Sequence, residues 1–149
     1  MRMCLAVCAV LVACATSVGA APSILGDYYE DRAYASCETS LYCSAFFSAT
    51  PAGKLLTITN VSCNLMRTQP HGRASLAISN STTPVANRSI HLPITATSIV
   101  NVSGWYVNAF TEQVRFLVGP NKYPFVHSTT IGSSGGTLEC TITGTLTNQ

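Results

Sequence analysis

The stretch KLLTITNVSCNLM, residues 54–66, decides how the chain reads. Leu56 and Ile58 stand two apart; Val61, Cys63 and Leu65 also stand two apart, but in the other phase. A period of two lines one face of a β-strand, whereas a helix would repeat its apolar residues at three and four. The rhythm recurs along the chain. TSLYCSAFF alternates Leu41, Cys43, Ala45 and Phe47; RASLAIS offers Ala74, Leu76 and Ile78; RSIHLPIT offers Ile90, Leu92 and Ile94. SIVNVSGWYVNAF, EQVRFLV and PFVHSTT continue it, and GTLECTITGTL closes with Leu138, Cys140, Ile142 and Leu146. Short alternating runs between Pro, Gly and Asn breaks predict an antiparallel β-sandwich of about seven or eight strands, with jelly-roll topology preferred. Pro93 cannot donate to a ladder and predicts an edge strand or a bulge there. Gly104 predicts a bend, where its run passes from one sheet to the other.

Upstream, Arg2 precedes an apolar run from Met3 to about Val18 and then small residues, the layout of an export signal. Cleavage after Ala20 is the preferred reading. The alternative reads Leu11-Val12-Ala13-Cys14 as a lipoprotein box, with Cys14 lipidated. The run is too short to span a membrane, and no other segment is long and apolar enough. The sequence therefore predicts residues 1–20 as signal and an exported protein, periplasmic or extracellular, with no transmembrane segment.

Charged residues make up only 9% of the chain, while Ser, Thr and Asn are abundant, which suits a folded β-protein solvated by hydroxyls and amides. The formal net charge is +2, and Arg2 contributes one of those charges. No broad basic footprint for nucleic acid exists. Four of the six acids, Asp27, Glu30, Asp31 and Glu38, fall early in the chain. They predict a solvated acidic arm over residues 21–36 ahead of a sandwich domain over 37–149.

Beyond the signal, which holds Cys4 and Cys8 as well as Cys14, four cysteines remain: Cys37, Cys43, Cys63 and Cys140. An even number in an exported chain predicts two disulfides. If TPAG, residues 50–53, makes a hairpin between the first two strands, Cys43 faces Asn60 and Cys63 faces Ser40, so Cys43 and Cys63 stand too far apart to bond. Two connectivities remain, Cys37–Cys43 with Cys63–Cys140, or Cys37–Cys63 with Cys43–Cys140. The first is favoured because the short loop closes on itself and the last strand is tied to the second.

With these residues in view, CETSLYC followed by PAGKLLTITNVSC and a terminal CTITG resembles a group of small exported all-β proteins of Gram-negative, mainly alphaproteobacterial, origin. The resemblance implies export, the fold and the cysteine set, and no activity.

Chemistry-bearing patterns are few. GSSGG, residues 132–136, satisfies G-x-S-x-G around Ser134, but a strand follows it and no His or Asp comes later, so it reads as a glycine-rich turn. His71, His91 and His127 form no metal-ligand spacing, and no metal or other cofactor is expected. The acids of DYYEDR belong to the arm and offer no fixed carboxylate pair for glycoside hydrolysis. AGK, residues 52–54, lacks the remainder of a phosphate loop. GWYVNAF carries the single tryptophan, Trp105, beside Tyr106 and Asn108; in a strand one ring faces the core and the other can stack on a sugar beside the amide. These three are the candidate ligand-binding residues. Sequons occur at Asn60, Asn80, Asn87 and Asn101; Asn80 and Asn87 are credible glycan acceptors only if the host is eukaryotic. The expectation is an exported, non-catalytic binding module for a glycan or a cell-surface partner. A structural or self-assembling envelope protein is the alternative, and a small secreted hydrolase a distant one.

Overall fold

The computed structural model of the protein describes residues 21–94 and 104–149, together with the backbone of residues 99–100. The candidate signal, with Cys14, and the Asn101 sequon lie outside the described residues. Eight strands appear: β1 (Ser23–Leu25), β2 (Tyr28–Phe46), β3 (Lys54–Arg67), β4 (His71–Ser79), β5 (Arg88–Leu92), β6 (Ile99–Val100), β7 (Tyr106–Val118) and β8 (Tyr123–Asn148). Every ladder is antiparallel.

The architecture follows from β2 and β8, which are too long to stay in one sheet. The first half of β2, Tyr28–Cys37, pairs with Gly136–Thr145 of β8; its second half, Tyr42–Phe46, pairs with Phe125–Thr129. Register shifts between Cys37 and Tyr42 mark the bend. One sheet runs β1, first half of β2, second half of β8, β3, β7, β6. The other runs second half of β2, first half of β8, β4, β5. With the short β1 and β6 left aside and each half counted as a segment, the first of eight segments pairs with the last, the second with the seventh, the third (β3) with the sixth (β7) and the fourth (β4) with the fifth (β5). That nesting is a jelly roll, two Greek keys wrapped into a sandwich. The strands are all-β, as the periodicity predicts.

The inward positions fill the space between the sheets. Leu56, Ile58, Val61 and Leu65 of β3 meet Leu76, Phe116, Val126, Leu138 and Ile142 from other strands in one buried cluster. The change of phase in the opening stretch is real: the register of β3 slips between Ile58 and Asn60 against both neighbours, and against β8 Thr59 is the extra residue of a bulge, whereas against β7 the extra residue lies on β7. Without the slip, Val61, Cys63 and Leu65 would face solvent.

The disulfides are Cys37–Cys43 and Cys63–Cys140. Cys63 and Cys140 are direct cross-strand partners on β3 and β8, with Cα atoms 4.1 Å apart. The favoured connectivity is thus correct, but the hairpin used to reach it does not form. Pro51–Lys54 does make a tight turn, with the Lys54 N–H donating to the Pro51 carbonyl at 3.2 Å. It carries the chain from one sheet to the other, and β8 lies between β2 and β3.

Two further expectations are corrected. The acidic arm does not exist as a separate element, since after its first two residues the span 21–36 consists of β1, the Gly26–Asp27 turn and the start of β2. Tyr29, Asp31 and Ala33 are buried inward positions. The alternation was masked because one of these positions is a carboxylate. Asp31 is accommodated by the Tyr29 hydroxyl at 3.2 Å and the Ser48 and Arg32 N–H groups at 2.7 and 2.8 Å. Gly104, at φ 76°, does not pass the chain between sheets; Ile99–Val100 pairs back on Tyr106–Val107 within one sheet. Pro93 directly follows β5, which pairs with β4 alone and is an edge strand.

Candidate ligand groove

A groove follows from the bend in β2. The Cys37–Cys43 disulfide clips the bend, holding the two Cα atoms 5.5 Å apart. Beyond the clip the halves of β2 diverge, one into each sheet, and the Ser48–Asp31 hydrogen bond ties them together again. β8 pairs along one edge of β2, and β1 covers the other edge only over Tyr28–Glu30. Past Glu30 that edge has no partner strand among the described residues. Two of its N–H groups are capped by side chains instead: Arg32 by Asp31 Oδ1 and Tyr42 by Ser40 Oγ at 3.1 Å. Such capping discourages pairing with a foreign strand.

Between the two halves lies a groove of about 730 Å³. Its aromatic walls are Tyr34, Phe46, Phe47 and Tyr123; its hydroxyls come from Ser36, Ser44, Ser48 and Thr82. Tyr34 is 61% exposed, so its ring face is open to solvent. Phe46 stacks on Phe125 at 4.7 Å between centroids, which fixes the floor. Alongside, the exposed Tyr42 stacks on His127, and His127 Nδ1 shares a 2.8 Å hydrogen bond with Ser44 Oγ. Burial lowers the His127 pKa, keeping the imidazole neutral near pH 7. Among the described residues no carboxylate, imidazole or cationic side chain lines the groove.

The residues expected to bind ligand lie elsewhere. Trp105 and Tyr106 are only half-buried, at the start of β7, and Asn108 is buried at 3% exposure, on the inward face with Phe110. An inward amide cannot flank an exposed ring, so the three form no open platform. Asn80 and Asn87 are exposed in the connection between β4 and β5; Asn80 Oδ1 accepts from Lys122 Nζ at 2.6 Å. Cys37, Cys43, Cys63 and Cys140 are all engaged in disulfides. His71, His91 and His127 lie on three strands, and among the described residues no three His, Cys, Asp or Glu side chains gather as a metal site.

GSSGG is not a turn. It lies inside β8 at the corner where that strand changes sheets. Ser134 Oγ accepts from the Thr68 and Gln69 N–H groups at 2.9 and 3.2 Å and from Arg67 Nε at 3.3 Å. A hydroxyl so committed is a structural hub. Arg67, 1% exposed, donates through Nη2 to the Ser40 and Ser134 carbonyls, both at 2.7 Å. One guanidinium thus pins β2, β3 and β8 at the corner, and burial lowers its pKa. Gly136, at φ 150°, lies where an added Cβ would overlap the Met66 carbonyl oxygen. Arg67 escaped the sequence reading, although its position two after Leu65 places it in the inward phase. Tyr34, Ser44 and Tyr123 carried no signal, because the groove joins segments far apart in the chain.

No protein-family model matches the chain, and neither a curated protein nor a solved structure shows significant similarity to it.

Proposed function

We propose that the protein is an exported, non-catalytic binding module that takes an uncharged glycan in the β2 groove. The observation that carries this reading is the lining: aromatic faces and hydroxyls without one charged side chain. Sugar rings stack their C–H faces on aromatic rings and exchange hydrogen bonds with hydroxyls and free strand-edge amides. Glycoside hydrolysis would require a pair of carboxylates flanking the bond, and the groove supplies none. Two disulfides suit an oxidising compartment, periplasmic or extracellular. Among the described residues no helix is long and apolar enough to cross a membrane. The resemblance to small exported all-β proteins fits the same address.

The test is a panel of neutral oligosaccharides read by array and then by calorimetry. Tyr34→Ala is expected to weaken binding by about tenfold or more, the scale of a lost anchoring aromatic. Trp105→Ala is expected to leave it unchanged. Retained affinity in Tyr34→Ala, or preference for acidic sugars, would remove the groove as the site.

A further inference from the structure

The opposite side of the sandwich carries a surface of a different kind. There β5 faces the Phe116–Val118 end of β7, which lies beyond the pairing of β7 with β6 at Tyr106–Val107, and among the described residues β5 and β7 are not hydrogen-bonded as strands. The Arg88 guanidinium bridges them, donating to the Leu117 carbonyl at 2.5 Å and lying over the Phe116 ring at 4.5 Å. A cleft of about 430 Å³ opens there, lined by Arg88, Arg115, Thr57, Ile90 and Leu117 among others. A second depression shares Arg88 and Leu117 with it and adds Lys122 and Leu55. Three cations therefore surround an apolar strip on which Leu117 is 47% exposed. Among the described residues no acid lines either cavity, and neither arginine has a carboxylate partner. Glu112, three residues before Arg115, falls on the other face of β7.

The complementary surface is the β1–β2 hairpin. Gly26, at φ 61°, makes the two-residue turn, and β1 pairs with β2 alone. Ile24 is 49% exposed, Leu25 81% and Tyr28 45%, an unusual amount of apolar surface for one small projection. Asp27 and Glu30 flank it, both exposed. One surface is cationic with an apolar strip; the other is apolar with an acidic rim.

Their places in the fold are matched. Leu25, Tyr28, Thr145, Thr57 and Leu117 are successive cross-strand partners, one continuous rung across the sheet. The hairpin and the cleft thus stand at the same height on opposite edges. One copy cannot bring them together, but a second copy displaced along the rung places its hairpin beside the first copy's cleft. We propose that the protein self-associates head to tail, the Ile24–Glu30 hairpin of one copy docking in the Arg88–Arg115–Lys122 cleft of the next. Such a contact is heterologous and leaves a free hairpin and a free cleft at the ends, so it propagates into chains or closes as a ring. It shares no lining residue with the β2 groove and does not depend on what the groove binds.

The experiment is sedimentation velocity of the purified protein over a concentration series, at low and high salt. The wild type is expected to shift to larger species with concentration, and less so in high salt, because the attraction is between exposed charges. Arg115→Glu with Lys122→Glu, or Asp27→Lys with Glu30→Lys, is each expected to weaken association about tenfold or more. These side chains are outside the core, and unchanged circular dichroism confirms the fold. Mixing the two charge-reversed proteins is expected to restore association, since each then offers what the other lacks. A wild type that stays monomeric at millimolar concentration overturns the proposal. So does association that survives both reversals, or two reversed proteins that remain apart when mixed.

Discussion

At the residue scale, buried charge is held by hydrogen bonds, although single atoms such as Arg67 Nη1 and His71 Nδ1 are left without a partner among the described residues. Asp31 and Arg67 are both buried, yet they do not meet; backbone amides and a tyrosine hydroxyl serve the first, carbonyls and Ser134 the second. A buried charge left without hydrogen bonds would cost several kcal/mol, so these contacts are conditions of the fold. Burial and the adjacent Asp31 carboxylate also push the Tyr29 phenol pKa well above its ordinary value, so it remains a donor at any physiological pH. Ser134 is the residue to test. Ser134→Ala removes the acceptor for two backbone amides and Arg67 Nε, and is expected to destabilise by about 2 kcal/mol or more. Chemical denaturation measures it, and an unchanged midpoint would show that the corner does not need the hydroxyl.

At the element scale, the two long strands carry the architecture, and the disulfides act on them differently. Cys63–Cys140 closes a separation of 77 residues and joins β3 to β8 in the centre of one sheet. Cys37–Cys43 closes a separation of six at the bend of β2. Loop-closure entropy assigns about 4 kcal/mol to the long link and about 2 kcal/mol to the short one. Cys63→Ala with Cys140→Ala is therefore expected to lower the melting temperature more than Cys37→Ala with Cys43→Ala. The short link is expected to matter more for the groove, whose closed end it forms. Equal melting temperatures for the two pairs would contradict the first expectation. Strand existence was legible because apolar side chains repeat at two. The inward face of β3 could be read off Leu56, Ile58, Val61, Cys63 and Leu65, bulge included. The first half of β2 was not legible, because Asp31 occupies an inward position where pattern reading expects an apolar residue.

At the scale of the whole molecule, stability should depend on pH through two half-buried histidines. Burial lowers the pKa of both His71 and His127 from 6.5, with Arg67 repelling the charge at His71 as a smaller contribution. His71 Nε2 donates to the Tyr106 carbonyl at 3.4 Å, and its Nδ1 is buried without a partner, so a second proton is unwelcome there. The unfolded chain, with ordinary imidazoles, binds protons first as the pH falls below about 6.5. Stability is therefore full above that pH and declines on acidification towards the lower folded values. Melting curves at pH 7.5 and pH 5 are expected to show the loss, and His71→Asn with His127→Asn is expected to flatten it. An equal acid loss in the double variant would assign the effect to other groups.

The sequence by itself determined the fold class, the cysteine set and the strands that build the core. Those properties rest on local periodicity and composition, which each segment carries independently of the others. Only the tertiary structure decided that β8 lies between β2 and β3, that Ser134 is a hub, and that Tyr34 and Tyr123 share one groove. Pairing order and cavity lining depend on contacts between residues far apart in the chain. In a jelly roll the first long strand pairs with the last, so its neighbours cannot be read from nearby sequence.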